Sequence, residues 1–346
     1  MMTRKALLQK CCCATFLVLL AAPVVAAQLL LINGAGATFP YPIYSKWFAE
    51  YVKVDPSANF NYQSIGSGGG IRQIIAKTVD FGASDGPMTE DELKQAPGEI
   101  LHCPTVLGGI VAISNIPGVN AKLNFTQKAL ADIFLGTIKR WNETALTSAN
   151  PGVNLPAEPI VVVHRSDGSG TTYIWTDFLS KVSAKWRNTV GLGKSVNWPV
   201  GLGGKGNEGV AGLVKQTPYS IGYVELGYAL NNHLSDGRVE NAAGEFVSCT
   251  TETVTQAAAA TSMPRDFRVS ITNASGRGVY PIASFTWLLV YREQDNPNKG
   301  QRIVQFLKWM LHEGQQYAAP LGYAPLPAPV IQLEEAAIDQ ITIRSN

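Results

Sequence analysis

Short apolar runs alternate with amphipathic segments along this chain, and the joints between them are rich in glycine and hydroxyl residues. Residues 29–32 predict a strand, and residues 42–54 a helix carrying Ile43, Trp47 and Tyr51 on one side. A strand follows at 59–64, a helix at 70–78 and a short strand at 80–83. Thr89 ahead of Glu90, Asp91 and Glu92 marks another helix start, because carboxylates are favourable at the positive end of a helix dipole. After a long apolar run at 106–116 the alternation resumes. Helices are expected at 126–134, 169–182, 207–216, 298–313 and 333–341, and strands at 160–163, 221–224 and 285–291. The stretch 231–275 is polar and weakly periodic, with one helix near 251–260. Such punctuation predicts an α/β fold: two α/β lobes with mixed, mainly parallel sheets, joined by more than one crossing strand.

The first 27 residues predict a cleavable signal peptide. Arg4, Lys5 and Lys10 form its basic start, and Val25-Ala26-Ala27 a small-residue cleavage site before Gln28. The apolar run between them is about 15 residues, short of the roughly 20 that a membrane span needs. Cys11, Cys12 and Cys13 lie too far from the cleavage point to take a lipid. Losing three basic residues moves the formal net charge from +2 to −1, which argues against a nucleic-acid surface. About 319 residues then remain, enough for two domains. Cys103 and Cys249 are left, and whether they pair after export stays open at this point.

Four strand-to-helix turns share one chemistry. Gly34-Ala35-Gly36-Ala37-Thr38-Phe39 leads into the first helix and Gly66-Ser67-Gly68-Gly69-Gly70 into the second. Ala83-Ser84-Asp85 ends a strand, and Arg165-Ser166-Asp167-Gly168-Ser169-Gly170-Thr171 turns another strand into a helix. In open α/β sheets, ligands sit at such turns. A helix start offers unpaired N–H groups and a positive dipole end, so it attracts anions. Ser169 and Thr171 add hydroxyls, and Arg165 a fork suited to an oxyanion. With no catalytic base nearby, the set suggests holding an anion rather than reacting with it.

Other motifs lead nowhere. Gly201-Leu202-Gly203-Gly204-Lys205-Gly206 fits G-x-G-x-x-G, yet it follows a Trp-Pro pair instead of the first strand of a dinucleotide unit. His102, His164, His233 and His312 lack metal-binding spacing, and no G-x-S-x-G elbow surrounds Ser67 or Ser169. Trp141, Trp186, Trp198 and Trp287 read as core and lobe-surface aromatics.

The segments GAGATFPYPIYSKW, NYQSIGSGGGIRQIIAKTVDFGASDGPM, RSDGSGTTYIWTDFL and WPVGLGGKGNEGV closely resemble the periplasmic phosphate-binding proteins of bacterial Pst-type ABC transporters. The likeness runs in collinear blocks from about residue 34 to about residue 323 and is weak between 231 and 277. The resemblance implies a periplasmic binding protein of Venus-flytrap architecture, two lobes on a two-segment hinge. Residues 28–107 and 288–346 would form lobe I and 108–287 lobe II, with hinges near 107–109 and 286–288. It implies phosphate contacts from Thr38, the Phe39 N–H, Ser67, Asp85, Arg165, Ser169, Gly170 and Thr171, with Asp167 holding the Arg165 guanidinium. Gly68 stands where family members often carry a second serine. It further implies a monomer serving the membrane permease subunits of an ABC importer, with no catalysis, cofactor, metal or nucleic acid.

The chemistry of that implied site can be argued independently. Phosphate near neutral pH keeps at least one P–OH proton. Asp85, an acceptor when ionised, would require that proton. Fully ionised sulfate would leave a buried acceptor unpaired, costing about 1–3 kcal/mol, and would add charge repulsion. Micromolar capture needs about −8 kcal/mol net. The competing readings are a sulfate or molybdate receptor, an exported phosphatase using the same anion turn, and a phosphate sensor or surface adhesin.

Overall fold

The computed structural model describes residues 30–344, so the signal-peptide expectation for residues 1–27 lies outside the described residues. Its main strands, numbered in chain order, are β1 (Leu30–Gly36), β2 (Ala58–Ser64), β3 (Phe81–Ser84), β4 (Ile100–Asn115), β5 (Val161–Arg165), β6 (Leu202–Gly204), β7 (Ser220–Glu225) and β8 (Ala283–Tyr291). They form one continuous mixed sheet in the order β2-β1-β3-β8-β4-β7-β5-β6, with the short strand Ser235–Asp236 beside β4. β1 runs parallel to β2 and β3, and β5 parallel to β6 and β7. β8 is antiparallel to both neighbours, β3 and β4.

The two lobes arise from a change of partner within β4. It pairs with β8 from Ile100 to Gly109, and from Ile110 onward with β7. One buried strand therefore belongs to the first lobe (β1–β3) at its start and to the second lobe (β5–β7) at its end. The apolar pattern placed its beginning at Val106, because His102, Cys103 and Pro104 interrupt the run. Pro104 lies opposite Trp287, next to the bulge at which β4 carries one extra residue, Thr105, and where a missing N–H is tolerated.

Each lobe has its own aromatic core. In the first, Phe60 lies 5.1 Å from Phe48 and 4.6 Å from Phe306, ring centre to ring centre. In the second, Trp175 stacks on Tyr223 at 4.9 Å and meets Phe134 at 5.1 Å. Trp141, Trp186 and Trp287 are fully buried, and Trp198 is half-buried against His164. Cys103 and Cys249 are separate buried thiols and form no disulfide.

The helices that frame the cleft are α1 (Tyr41–Tyr51), α2 (Ser67–Ile75), α3 (Gly170–Val182) and α4 (Gly206–Gln216); α5 (Pro297–Leu311) and α6 (Ala328–Ile338) close the chain. α6 starts five residues before the expected 333, with Pro329 in its first turn, where its missing N–H does no harm. α2 starts at Ser67, three residues before the expected Gly70. Glycine is a poor helix former, so its run disguised the start. Its smallness is nonetheless required, since a Cβ on Gly70 would stand 2.5 Å from the Gly36 Cα and 2.6 Å from the Ala35 carbonyl. The helix lies directly on β1 and β3.

Gly70→Ala is expected to lower unfolding stability by about 1–3 kcal/mol through overpacking. Urea denaturation reads this, and an unaltered midpoint would mean that α2 lifts from the strands without cost.

Candidate anion-binding site

The four expected turns meet at one buried place between the lobes. The side chains of Thr38, Phe39, Ser67, Asp85, Arg165, Ser169 and Thr171 are all buried, none exceeding 3 % exposure, and Gly170 is buried with them. Thr38 and Phe39 follow β1, Ser67 opens α2, Asp85 follows β3, and Ser169 caps α3.

Local hydrogen bonding decides which groups face the cleft. The Ser169 Oγ accepts from the Thr172 N–H at 2.9 Å, so the cap satisfies one N–H of α3. Those of Gly170 and Thr171 have no partner within the helix and stay available. The Asp85 N–H donates to the Ser67 Oγ at 3.1 Å, which leaves the Ser67 proton free to point elsewhere. The Arg165 guanidinium grips Asp167 through Nε (2.7 Å) and Nη2 (2.6 Å), and Asp167 Oδ1 also accepts the Gly206 N–H at 3.0 Å. Burial works to raise the Asp167 pKa, but the Arg165 bonds and charge more than offset this and hold it below the usual carboxylate range. Arg165 Nη1 reaches the Thr171 Oγ1 at 3.2 Å.

Asp85 is the unusual member. It has no cation within salt-bridge distance among the described residues, and its Oδ1 accepts from the Thr286 hydroxyl at 2.8 Å. Burial pushes its carboxyl up to about 7, against the pull of the Thr286 bond and the Arg165 charge.

The lobes touch through these same residues. The Gly68 N–H donates to the Gly168 carbonyl at 2.9 Å. A Cβ on Gly68 would lie 3.3 Å from the Gly168 Cα, so its smallness eases the approach. A Cβ on Gly170 would lie 2.4 Å from the Ser67 Oγ and 2.6 Å from Asp85 Oδ2. At the rim, Lys194 bridges to Glu92 at 2.9 Å and to the Pro87 carbonyl at 3.1 Å.

Five supporting residues were not among the expected contacts. Asn207 Nδ2 donates to the hydroxyls of Thr38 (2.8 Å) and Thr171 (3.1 Å), bracketing both lobes. Tyr228 donates to the Thr38 carbonyl and Tyr323 to the Phe39 carbonyl, each at 2.6 Å. Thr286 positions Asp85, and Glu225 lies behind the Phe39 turn, 3.3 Å from Tyr323. Asn207 follows the GLGGKG run and had a signal there; the others are distant in sequence and had none. His164 stacks on Trp198 at 4.7 Å, consistent with a strand residue. Among the described residues no cluster of His, Cys, Asp or Glu could hold a metal ion, and no helix is long and apolar enough to cross a membrane.

Comparison with known proteins adds four matches. Residues 21–313 match the family model described as PBP superfamily domain. The chain is 48 % identical over 308 residues to the phosphate-binding protein PstS of Pasteurella multocida, covering 88 % of this chain and 89 % of that one. It is 48 % identical over 303 residues to that of Haemophilus influenzae, with 87 % and 90 % covered. Among solved structures, the high-affinity periplasmic phosphate-binding protein PfluDING superposes with a TM-score of 0.73 at 22 % identity, covering 89 % of this chain and 93 % of that one. That likeness supports the two-lobe fold.

Gly170→Ala is expected to hold the lobes apart while leaving each intact. Small-angle scattering should show a larger radius of gyration with an unchanged thermal midpoint, and an unchanged radius would refute the contact. For Asp85, the folded value lies above the unfolded one, so native stability declines as pH rises from about 4 to about 7 and stays reduced above that. Asp85→Asn should therefore melt several degrees higher than wild type at about pH 8, with the gap closing toward pH 4. A gap independent of pH in calorimetry would contradict the burial of that charge.

Proposed function

The chain belongs to the PstS family of phosphate-binding proteins within the PBP superfamily, and on that premise we propose how it captures phosphate, where, and for which partner. A single orthophosphate is held by the Thr38 hydroxyl, the Phe39 N–H, the Ser67 hydroxyl, the Arg165 guanidinium, the Ser169 hydroxyl and the start of α3 at Gly170 and Thr171. Asp85 accepts the guest's P–OH proton. The observation that carries this reading is the pairing of many buried donors with one carboxylate lacking a close cation. Such a cleft selects for an anion that still bears a hydrogen.

Capture proceeds by closure. One lobe takes the anion first, and the other completes the cage. The closed form persists because the ligand contacts both lobes only there. The hinge segments are 107–109 and 286–288, next to the change of partner at Gly109–Ile110 in β4. Lobe I then comprises 28–107 and 288–346, and lobe II 108–287. The chain acts in the periplasm, exported by its N-terminal segment, as a monomer that hands phosphate to the permease subunits of an ABC importer. Its role in this reading is to bind the anion, in keeping with relatives that are phosphate-binding proteins.

Titration of phosphate with sulfate as competitor, followed by tryptophan fluorescence, tests the reading. Asp85→Asn replaces an acceptor with a group that also donates, so sulfate should compete at least tenfold better than against wild type. Unchanged discrimination would remove Asp85 from this role.

A further inference from the structure

A second buried carboxyl lies behind the cleft. Glu225 ends β7 and is fully buried; its Oε2 accepts the Gly227 N–H at 2.9 Å, and its Oε1 is buried without a partner. Its Oε2 is also 3.3 Å from the Tyr323 hydroxyl, which already donates its one hydrogen to the Phe39 carbonyl at 2.6 Å. A phenol cannot give one proton twice at full strength, and the shorter contact is to a carbonyl that can only accept. The Tyr323–Glu225 contact is therefore favourable only when Glu225 supplies a proton of its own. The Glu225 N–H, meanwhile, donates to Asn207 Oδ1 at 3.0 Å, and the Asn207 amide holds Thr38 and Thr171.

We propose that Glu225 is a proton-linked positioning residue, neutral when it supports the Phe39 turn through Tyr323, whose ionisation weakens anion capture. The proposal rests on the phosphate reading above. The titratable groups around it supply no compensating cation. Asp85 faces it from the end of β3, Tyr323 from the segment before α6, Tyr228 from helix Leu226–Asn231 and Cys249 from the segment before helix Thr251–Ala259. On α4, Glu208, whose charge acts on Tyr228, is acidic, and the facing β4 residues Ile110 and Val111 carry no charge. Arg165 is bound to Asp167. Burial, reinforced by the Asp85 charge, moves the Glu225 carboxyl up to about 8.

The test compares phosphate dissociation constants by calorimetry for wild type and Glu225→Gln between about pH 6.5 and 9.5. The glutamine amide still donates to Tyr323 but cannot ionise. Phosphate titrates alike in both proteins, so the ratio of the two affinities reports the Glu225 charge together with its coupling to Asp85. Wild type should lose about tenfold relative to the variant across this range. A constant ratio overturns the proposal. Should the variant fail to fold, the wild-type Gly227 amide carries the test by NMR: an inflection near pH 8 supports a titrating Glu225, and a flat trace refutes it. A wild type that binds no phosphate at any pH overturns the capture reading and this proposal together, whereas a flat ratio with binding intact overturns the proposal alone.

Discussion

The fork between Arg165 and Asp167 sets the character of the cleft. Two short bonds orient the guanidinium, and its charge is neutralised before any guest arrives. With Asp85 added, the formal charge of the lining is negative. Attraction of an anion must then come from oriented N–H and O–H dipoles at short range, whose effect is strengthened by burial. An excess of positive charge would draw in any anion. A lining without excess positive charge would instead recognise a guest by its pattern of donors and acceptors, a pattern that the Asp85 carboxylate makes asymmetric.

Closure and recognition use the same atoms. Gly170 meets Ser67 and Asp85, Asn207 joins Thr38 to Thr171, and Gly68 bonds to Gly168 across the cleft. In the proposed closure, bringing the lobes together and assembling the cage would be one event. The strand that permits this, β4, supplies backbone pairing to both halves, so motion about it need not break either sheet. Behind the cage, the hydroxyls of Tyr228 and Tyr323 hold the carbonyls of the Thr38–Phe39 turn, which fixes the direction of its N–H groups.

Much of the site was legible in the chain because each contributing turn carries a local signature. Glycine and hydroxyl residues at a strand end are an adjacent-residue pattern, and the Arg165–Asp167 spacing of two is short enough to read directly. The errors were also local: glycines hid the first turn of α2, Pro104 hid the start of β4, and α6 begins before its periodicity becomes clear. Thr286, Tyr228, Tyr323 and Glu225 escaped notice because buried hydroxyls and acids are ordinary in isolation. Their meaning comes from partners between 98 and 284 residues away.

By itself, the sequence determined the alternating architecture and the four glycine- and hydroxyl-rich turns, since these depend on periodicity, glycine and hydroxyl chemistry within a few neighbouring residues. Tertiary structure alone decided that the turns converge, that Cys103 and Cys249 stay apart, and that Asp85 sits buried with a threonine instead of a cation. The physical reason is that burial and the acid constants it shifts belong to the packed interior, where distant segments replace water as the surroundings of each charge.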